Sequence, residues 1–384
     1  MSDARNIAIL GSTGSVGTQT LQIVRGLADR FSVVALSAGK NVELLSEQIE
    51  EFQPLYVGIA DYENAGLLKE KFPDIMIFSG DDALIKLASF SDIHIVVNAI
   101  VGSAGLLTSW YAVNSGKRLC TANKESLVMA GELLTATAEH TGASIFPIDS
   151  EHSALWQAML AGKRAEIKRL ILTASGGPFW DKDIDFSQIT PQQALNHPNW
   201  TMGKKITIDS ATMMNKALEI IEAHWLFDIP PEQIEVVIHP QSIVHSIVEF
   251  IDGSQIAQLS LPDMRLPIQY AITYPERLAS PIPTLELSEI NKLEFFTPDE
   301  EKFPALKLAY RVLEMGGTAP TILNTVNEVA VHMFLQGKLM FSQIIPIVEQ
   351  ALQEISIKPI DSIETVFEAD KISKKWMKKW TGKK

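Results

Sequence analysis

Residues 7–24 read IAILGSTGSVGTQTLQIV, and this short piece decides how the rest of the chain is read. The apolar run Ile7–Leu10 has the length and composition of a buried strand. A glycine-rich turn follows at once, with Gly11, Gly14 and Gly17 leading into an apolar helix through Val16, Leu21 and Val24. Glycines permit the tight turn and let backbone approach a pyrophosphate at the positive end of the helix. The spacing is G-x-x-G-x-x-G rather than G-x-G-x-x-G, and glycine-rich strand–helix turns also occur without any nucleotide.

Outward from that piece, short apolar β-like runs alternate with helical patterns as far as residue 147. The runs are Ile7–Leu10, Val33–Ser37, Tyr56–Ile59, Ile93–Asn98, Arg118–Ala122 and Ser144–Pro147. Alternation of this kind implies a parallel sheet covered on both faces. The expected architecture is therefore α/β: an N-terminal Rossmann-type nucleotide-binding domain over 1–148, then a central α+β domain over 149–274. The second segment carries a strand at Leu170–Thr173, a Gly176–Pro178 turn, a helix from Ser210 and a hairpin around Asp252-Gly253. Recurrent prolines mark a connecting segment over 275–303. Four helical patterns, roughly 304–315, 320–335, 341–354 and 362–380, form a C-terminal helical bundle over 304–384.

The chain has 384 residues, too many for one ordinary core. Its net charge of −13 argues against a nucleic-acid partner, although a local lysine cluster can still serve an anionic substrate. No apolar stretch is long enough to span a bilayer. From the start MSDARNIAIL neither a secretion signal nor a transit peptide is expected. The single cysteine, Cys120, fits a reducing cytosol. In the basic tail KISKKWMKKW, Trp376 and Trp380 lie four apart, so one face can dock while the lysines stay wet.

The second strand runs into Ser37-Ala-Gly39-Lys40-Asn41, with no acid at its tip to grip ribose hydroxyls. Lys40 and Asn41 could instead hold a 2′-phosphate, which favours NADPH over NADH. Further on, Asp149-Ser-Glu151 would aim two carboxylates the same way in an extended segment. Oxygen-only ligation points to Mg²⁺ or Mn²⁺, but a solvated turn reads the same way. Asn123-Lys124-Glu125 stands at the carboxyl edge of a strand, where α/β sheets place their sites, and also satisfies a plain helix start. Ser175-Gly176-Gly177 is either a tight turn or an anion cradle. Residues 197–219, HPNWTMGKKITIDSATMMNKALE, offer His197, Trp200 and Met202 in a loop. Asn215, Lys216 and Glu219 follow on one side of a helix, suited to a phosphate or a metal.

Together GSTGSVG, GKN, ANKES, DSEH, SGGPF, HPNWTMG, DSATMMNKALE, HPQS, PDMR and LNTVNEVAV resemble the 1-deoxy-D-xylulose 5-phosphate reductoisomerase family over nearly the whole chain. Val16, Ser260 and Thr325-Val326 depart from the family pattern, and none touches a catalytic group. The resemblance implies NADPH- and divalent-metal-dependent rearrangement and reduction of a small phosphorylated sugar, 1-deoxy-D-xylulose 5-phosphate, to 2-C-methyl-D-erythritol 4-phosphate. It implies one Mg²⁺ or Mn²⁺ per subunit on Asp149, Glu151 and Glu219, which with Lys124 form the catalytic set. Substrate contacts fall on Lys124, Ser150, Glu151, Ser175, His197, Trp200, Ser210, Asn215, Lys216 and Glu219. His197, Trp200 and Met202 belong to a closing lid near 195–205. NADPH contacts map to Thr13, Gly14, Ser15, Val16, Gly39, Lys40, Asn41, Asn123, Glu125 and Gly203. A homodimer in a bacterial cytoplasm completes the expectation. The rivals are a metal-free NADP-dependent dehydrogenase, against which the three acids speak, and a nucleotide-sensing regulator, which needs neither lid nor metal cluster.

Overall fold

The computed structural model describes residues 4–200 and 202–382. Residues 1–3, at the start of the expected nucleotide domain, Thr201 in the expected lid, and residues 383–384 of the expected bundle lie outside the described residues. The chain forms two compact units. The first takes Met1–Ser126, Leu134–Ser153 and Asp263–Ile282; the second takes Leu127–Leu133, Ala154–Pro262 and Pro283–Lys384.

The first unit alternates strand and helix as the periodicity demands. Its elements are β1 (Arg5–Leu10), α1 (Ser15–Arg25), β2 (Phe31–Ala38), α2 (Val42–Phe52), β3 (Tyr56–Ile59), α3 (Tyr62–Lys71) and β4 (Met76–Ser79). Then come α4 (Asp81–Ser89), β5 (Ile95–Asn98), α5 (Gly105–Asn114), β6 (Arg118–Thr121), the two ends of α6 (Lys124–Thr141), β7 (Ser144–Pro147) and the start of α7 (Ser150–Met159). The strands form one parallel sheet in the order β4-β3-β2-β1-β5-β6-β7. The strand order reverses at β1, whose Leu10 pairs with Asn98 of β5, and the ends of two such strands are where α/β sheets bind their ligands. The sequence reading missed β4. Only Ile77 of this four-residue edge strand is buried, too little apolar pattern to announce a strand. Cys120 lies buried in β6, and burial pushes its thiol up to about 12, so it is inert at neutral pH.

The second unit is built on a mixed sheet, β11-β10-β8-β9. Its strands are β8 (Ile167–Ala174), β9 (Ile234–Ile238), β10 (Val244–Phe250) and β11 (Gln255–Leu259). Three helices lie between β8 and β9: α8 (Pro191–Ala194), α9 (Lys204–Ala211) and α10 (Met214–Phe227). The hairpin joining β10 and β11 turns at Asp252-Gly253, where Gly253 takes φ +87°. Next, α11 (Arg265–Thr273) returns to the first unit. There Arg118 donates to the carbonyls of Tyr274 at 3.0 Å and Ile272 at 3.4 Å, placing positive charge at the helix C-terminus.

Residues 283–303 are largely irregular, pinned by one bridge between Ile238 and Phe296. The four expected bundle helices are α12 (Ala305–Met315), α13 (Ala319–Leu335), α14 (Ile344–Glu354) and α15 (Ile363–Thr381). Central among them, α13 packs on α12, α14 and α15 and buries apolar side chains such as Ile322, Leu323, Val326 and Phe334. Each contributes roughly 1.5–3 kcal/mol relative to exposure. Trp376 and Trp380 dock by donating to Glu354 at 2.9 Å and Gln350 at 3.2 Å, while Lys375, Lys378 and Lys379 face solvent. No helix among the described residues is long and apolar enough to cross a membrane.

Candidate functional site

In the first unit, the turn after β1 has the shape that its glycines imply. Gly11 adopts φ +88°, and a Cβ there would lie 2.7 Å from the Ala99 carbonyl oxygen, on the loop after β5. A Cβ on Gly17 would meet the Gly11 carbonyl oxygen at 2.3 Å, so α1 presses directly on the turn. Gly11 and Ser12 donate to the Ser37 carbonyl at 3.1 and 2.8 Å, tying the turn to the end of β2. Gly14 and Ser15 stand exposed at the tip of α1, which no side chain caps. Such an end is ready for an anion. Gly39 and Lys40 are exposed after β2, with no acid beside them. The Asn41 side-chain oxygen caps α2, accepting from Leu44 N–H at 3.1 Å.

Asn123 caps α6, and its amide donates to the carbonyls of Ile100 and Gly102, both at 2.9 Å, and to Glu125 at 3.1 Å. The side chains of Asn123 and Glu125 are thus buried in internal bonds. Lys124 is 5% exposed and pairs with Asp149 at 2.6 Å. The extended arrangement expected for Asp149–Glu151 is not what forms. The helix α7 begins at Ser150, and Asp149 sits just before it, its carbonyl accepting from Ser153 N–H at 2.9 Å. Asp before a helix takes the capping position, which outweighs the alternation of a strand. Burial alone would raise the Asp149 carboxyl. The Lys124 ammonium and the His152 ring outweigh that effect and hold it well below the usual carboxylate range. His152 is a residue that the sequence pattern alone did not single out. It is fully buried with Nδ1 3.6 Å from Asp149, and the i,i+3 spacing from Asp149 was the available signal. Ser150 donates to Glu151 at 2.5 Å.

In the second unit, the helix expected from Ser210 is two helices. α9 ends at Ala211, Met213 turns left-handed at φ +60°, and α10 starts at Met214. The Thr212 hydroxyl donates to the carbonyls of Ile208 and Asp209, both at 3.2 Å, and accepts from Met214 N–H at 3.3 Å, which supports the break. The Ser175–Gly177 turn lies against this junction. A Cβ on Gly177, whose φ is +67°, would be 2.7 Å from the Ser210 carbonyl oxygen. The turn that carries Ser175 thus packs against the backbone of Ser210.

In the first turn of α10, Asn215 and Lys216 both hydrogen-bond the Glu219 carboxylate. Lys216 and Glu219 are buried. His197 Nε2 lies 2.9 Å from Ser175 Oγ, and its Nδ1 accepts from the backbone N–H groups of Asn199 at 3.2 Å and Trp200 at 3.0 Å. That pattern assigns the proton to Nε2, which donates to Ser175. Burial lowers the His197 pKa and favours this neutral form. Asn199 donates to Pro240 and Ser242, and the Trp200 ring meets His245 edge-on at 6.5 Å, seating the 197–200 segment. Met202 is half-buried, and Gly203 is the exposed N-cap of α9.

His245 is a second residue that the sequence reading passed over. It lies buried in β10, with Nε2 2.9 Å from Ser260 Oγ. Burial lowers its pKa from 6.5 to about 4, and nearby His239 and Lys216 act in the same direction. A depressed histidine stabilises the fold above the unfolded-state value and loses that contribution as pH falls from 6.5 toward 4. Thermal melts at pH 7 and pH 5 should therefore show a fall in Tm on acidification. The fall should shrink in His245→Asn; an undiminished one would assign the acid lability to other groups.

Residues 7–131 match the family described as 1-deoxy-D-xylulose 5-phosphate reductoisomerase, residues 145–227 its C-terminal domain, and residues 259–376 the DXP reductoisomerase C-terminal domain. The chain is 48% identical over 379 residues to the 1-deoxy-D-xylulose 5-phosphate reductoisomerase of Thermodesulfovibrio yellowstonii, covering 98% of this chain and 100% of that one. It is 49% identical over 369 residues to that of Thermomicrobium roseum, covering 95% and 94%. Among solved structures, it is similar to a DOX-P reductoisomerase in complex with NADPH, fosmidomycin and magnesium, at TM-score 0.94 and 43% identity over 98% of each chain. It is also similar to the Zymomonas mobilis enzyme in complex with NADPH, at TM-score 0.91 and 40% identity over 97% of each.

Proposed function

The chain belongs to the 1-deoxy-D-xylulose 5-phosphate reductoisomerase family, and from that membership we propose which residues carry its activity. The reaction converts 1-deoxy-D-xylulose 5-phosphate to 2-C-methyl-D-erythritol 4-phosphate with NADPH and a divalent metal. The observation that carries the residue assignment is α10, where a lysine, an asparagine and a glutamate share one turn largely shut off from water. A cation and an amide suit a phosphate, and a carboxylate suits a hard cation.

Asp149, Glu151 and Glu219 hold the ion. Their oxygen-only donor chemistry fits Mg²⁺ or Mn²⁺ and not a thiolate-seeking metal. The NADPH pyrophosphate lies at Thr13, Gly14, Ser15 and Val16, where a Cβ on Gly11 or Gly17 would fill the space the turn needs. Gly39, Lys40 and Asn41 take the 2′-phosphate, with Asn123, Glu125 and Gly203 completing the cofactor contacts. When bound, the metal supplies Lewis-acid stabilisation of developing negative charge, and NADPH supplies the hydride.

The side chains do the rest. Ser175, Ser210, Asn215 and Lys216 grip the phosphate and fix the position of the sugar. Lys124 and Ser150 bind the substrate hydroxyls, Lys124 keeping its ammonium in place through Asp149. His197, Trp200 and Met202 form the lid that excludes water while carbon–carbon connectivity changes, so that the fragments of a retro-aldol step cannot escape. His197, neutral and donating to Ser175, ties that lid to the phosphate grip. A homodimer in a bacterial cytoplasm belongs to the same reading. The outer edge of β11, which no strand among the described residues covers, supports the dimer.

The test is NADPH oxidation in the presence of 1-deoxy-D-xylulose 5-phosphate. Turnover should require Mg²⁺ or Mn²⁺ and stop with a chelator. Oxidation that ignores the metal would return the chain to the simple dehydrogenases.

A further inference from the structure

The bundle helix α13 carries two buried asparagines, Asn324 and Asn327, three residues apart and so on one face. The amide of Asn327 donates to Asp209 Oδ1 at 2.8 Å, across 118 residues of sequence. Asp209 Oδ2 is taken by Lys205 at 2.8 Å, so each oxygen of a carboxylate only 1% exposed has its own donor and the side chain is held in one rotamer. Asp209 stands in the last turn of α9, immediately before Ser210. The helix α13 is itself anchored: Thr325 donates to Asp370 of α15 at 2.8 Å, and Thr321 to the Met129 carbonyl at 2.9 Å.

Packing alone does not account for these asparagines. Neither end of the Asn324 amide, nor the Asn327 carbonyl oxygen, meets a hydrogen-bond partner, although both residues are fully buried. Buried polar atoms left in that condition cost free energy, and apolar residues of similar volume would serve the core better. What Asn327 does provide is a fixed point for the end of α9, one residue before the Ser210 carbonyl that Gly177 approaches.

We propose that Asn327 is a positioning residue for substrate phosphate binding: through Asp209 it holds the α9–α10 junction, and so Ser210, Asn215 and Lys216, in register with the Ser175 turn. The C-terminal bundle is thereby part of the phosphate site's support, although it supplies no group that touches substrate. This rests on the phosphate assignment made above.

The test is a double-mutant cycle on the full-length enzyme with Mg²⁺, reading KM for 1-deoxy-D-xylulose 5-phosphate, KM for NADPH, kcat, and inhibition by inorganic phosphate. Asn327→Asp sets two carboxylates against each other. It should raise the sugar-phosphate KM and the inorganic phosphate Ki together by about tenfold, with NADPH KM within about twofold. Asp209→Asn keeps an oxygen that accepts from Asn327 and should leave both values within about threefold. In the double variant the bond re-forms with its direction reversed, and substrate KM should return toward that of the parent. An unchanged substrate KM in Asn327→Asp overturns the proposal. So does a loss shared equally by substrate and NADPH with no rescue, since that marks general destabilisation. If Asn327→Asp does not fold, Asn327→Ser, too short to reach Asp209, must give the same split. Lys216→Ala separates the two levels: if it leaves the inorganic phosphate Ki unmoved, the phosphate assignment itself fails, whatever Asn327 does.

Discussion

Glu219→Gln should lower kcat by about two to three orders of magnitude while NADPH affinity stays within about twofold. The substitution keeps the volume and shape of a side chain that is 1% exposed, so the surrounding core has no cause to rearrange. One oxygen also survives to accept from Asn215 or Lys216, the present partners of the carboxylate. What disappears is the negative charge. A neutral amide is a poor ligand for a hard divalent ion, and stabilisation of enolate charge depends on that ion being held tightly. Two readings decide the matter: kcat at increasing Mg²⁺ or Mn²⁺, and NADPH binding followed by fluorescence. Partial recovery at high metal concentration is expected. Parallel losses in turnover and NADPH affinity would remove Glu219 from the metal set.

The parts of this protein that were legible in its sequence are those written in local pattern. The strand–turn–helix at Ile7–Val24, the hairpin at Asp252-Gly253 and the four bundle helices each carry their period or turn residues within a short window. Elements with little pattern of their own were missed, such as the edge strand β4. So was β9, whose run Ile234–Ile238 alternates too weakly beside a pair of prolines. The misread cases share a cause. Asp149 becomes a helix cap and Met213 a left-handed junction because of bonds made by particular side chains, and periodicity does not register those. The same holds for the site. DSEH and DSATMMNKALE announce carboxylates and a lysine, yet nothing local says that Asp209 will be gripped by a residue of the bundle. Chemistry-bearing residues can be listed from sequence; the residues that hold them in place are tertiary facts.

Two of this chain's glycines, Gly66 in α3 and Gly17 in α1, allow that distinction to be tested, because they should respond to the same substitution with opposite signs. Gly66 is exposed within α3, and an added Cβ would meet nothing within 4 Å. Gly66→Ala should stabilise the protein by about 0.5–1 kcal/mol, through helix propensity alone, and leave NADPH binding unaltered. Gly17 lies in α1, where alanine is equally favoured by propensity. There, however, the Cβ would come within 2.3 Å of the Gly11 carbonyl oxygen and 2.5 Å of Ser12 Cα, both backbone atoms.

No side-chain rotation relieves that clash, so either α1 withdraws or the turn shifts. Movement by the turn is opposed by its bonds from Gly11 and Ser12 to Ser37, and by Gly11's own approach to Ala99. Withdrawal of α1 carries its N-terminal N–H groups away from the position proposed for the pyrophosphate. Either way the cofactor site is lost before the fold is. Gly17→Ala should weaken NADPH binding by about a hundredfold, the upper end of what overpacking of this kind costs, with a fall in Tm of a few degrees. Calorimetric titration with NADPH beside thermal melts of both variants reads the contrast directly. Wild-type NADPH affinity in Gly17→Ala would mean that the pyrophosphate does not lie on this turn.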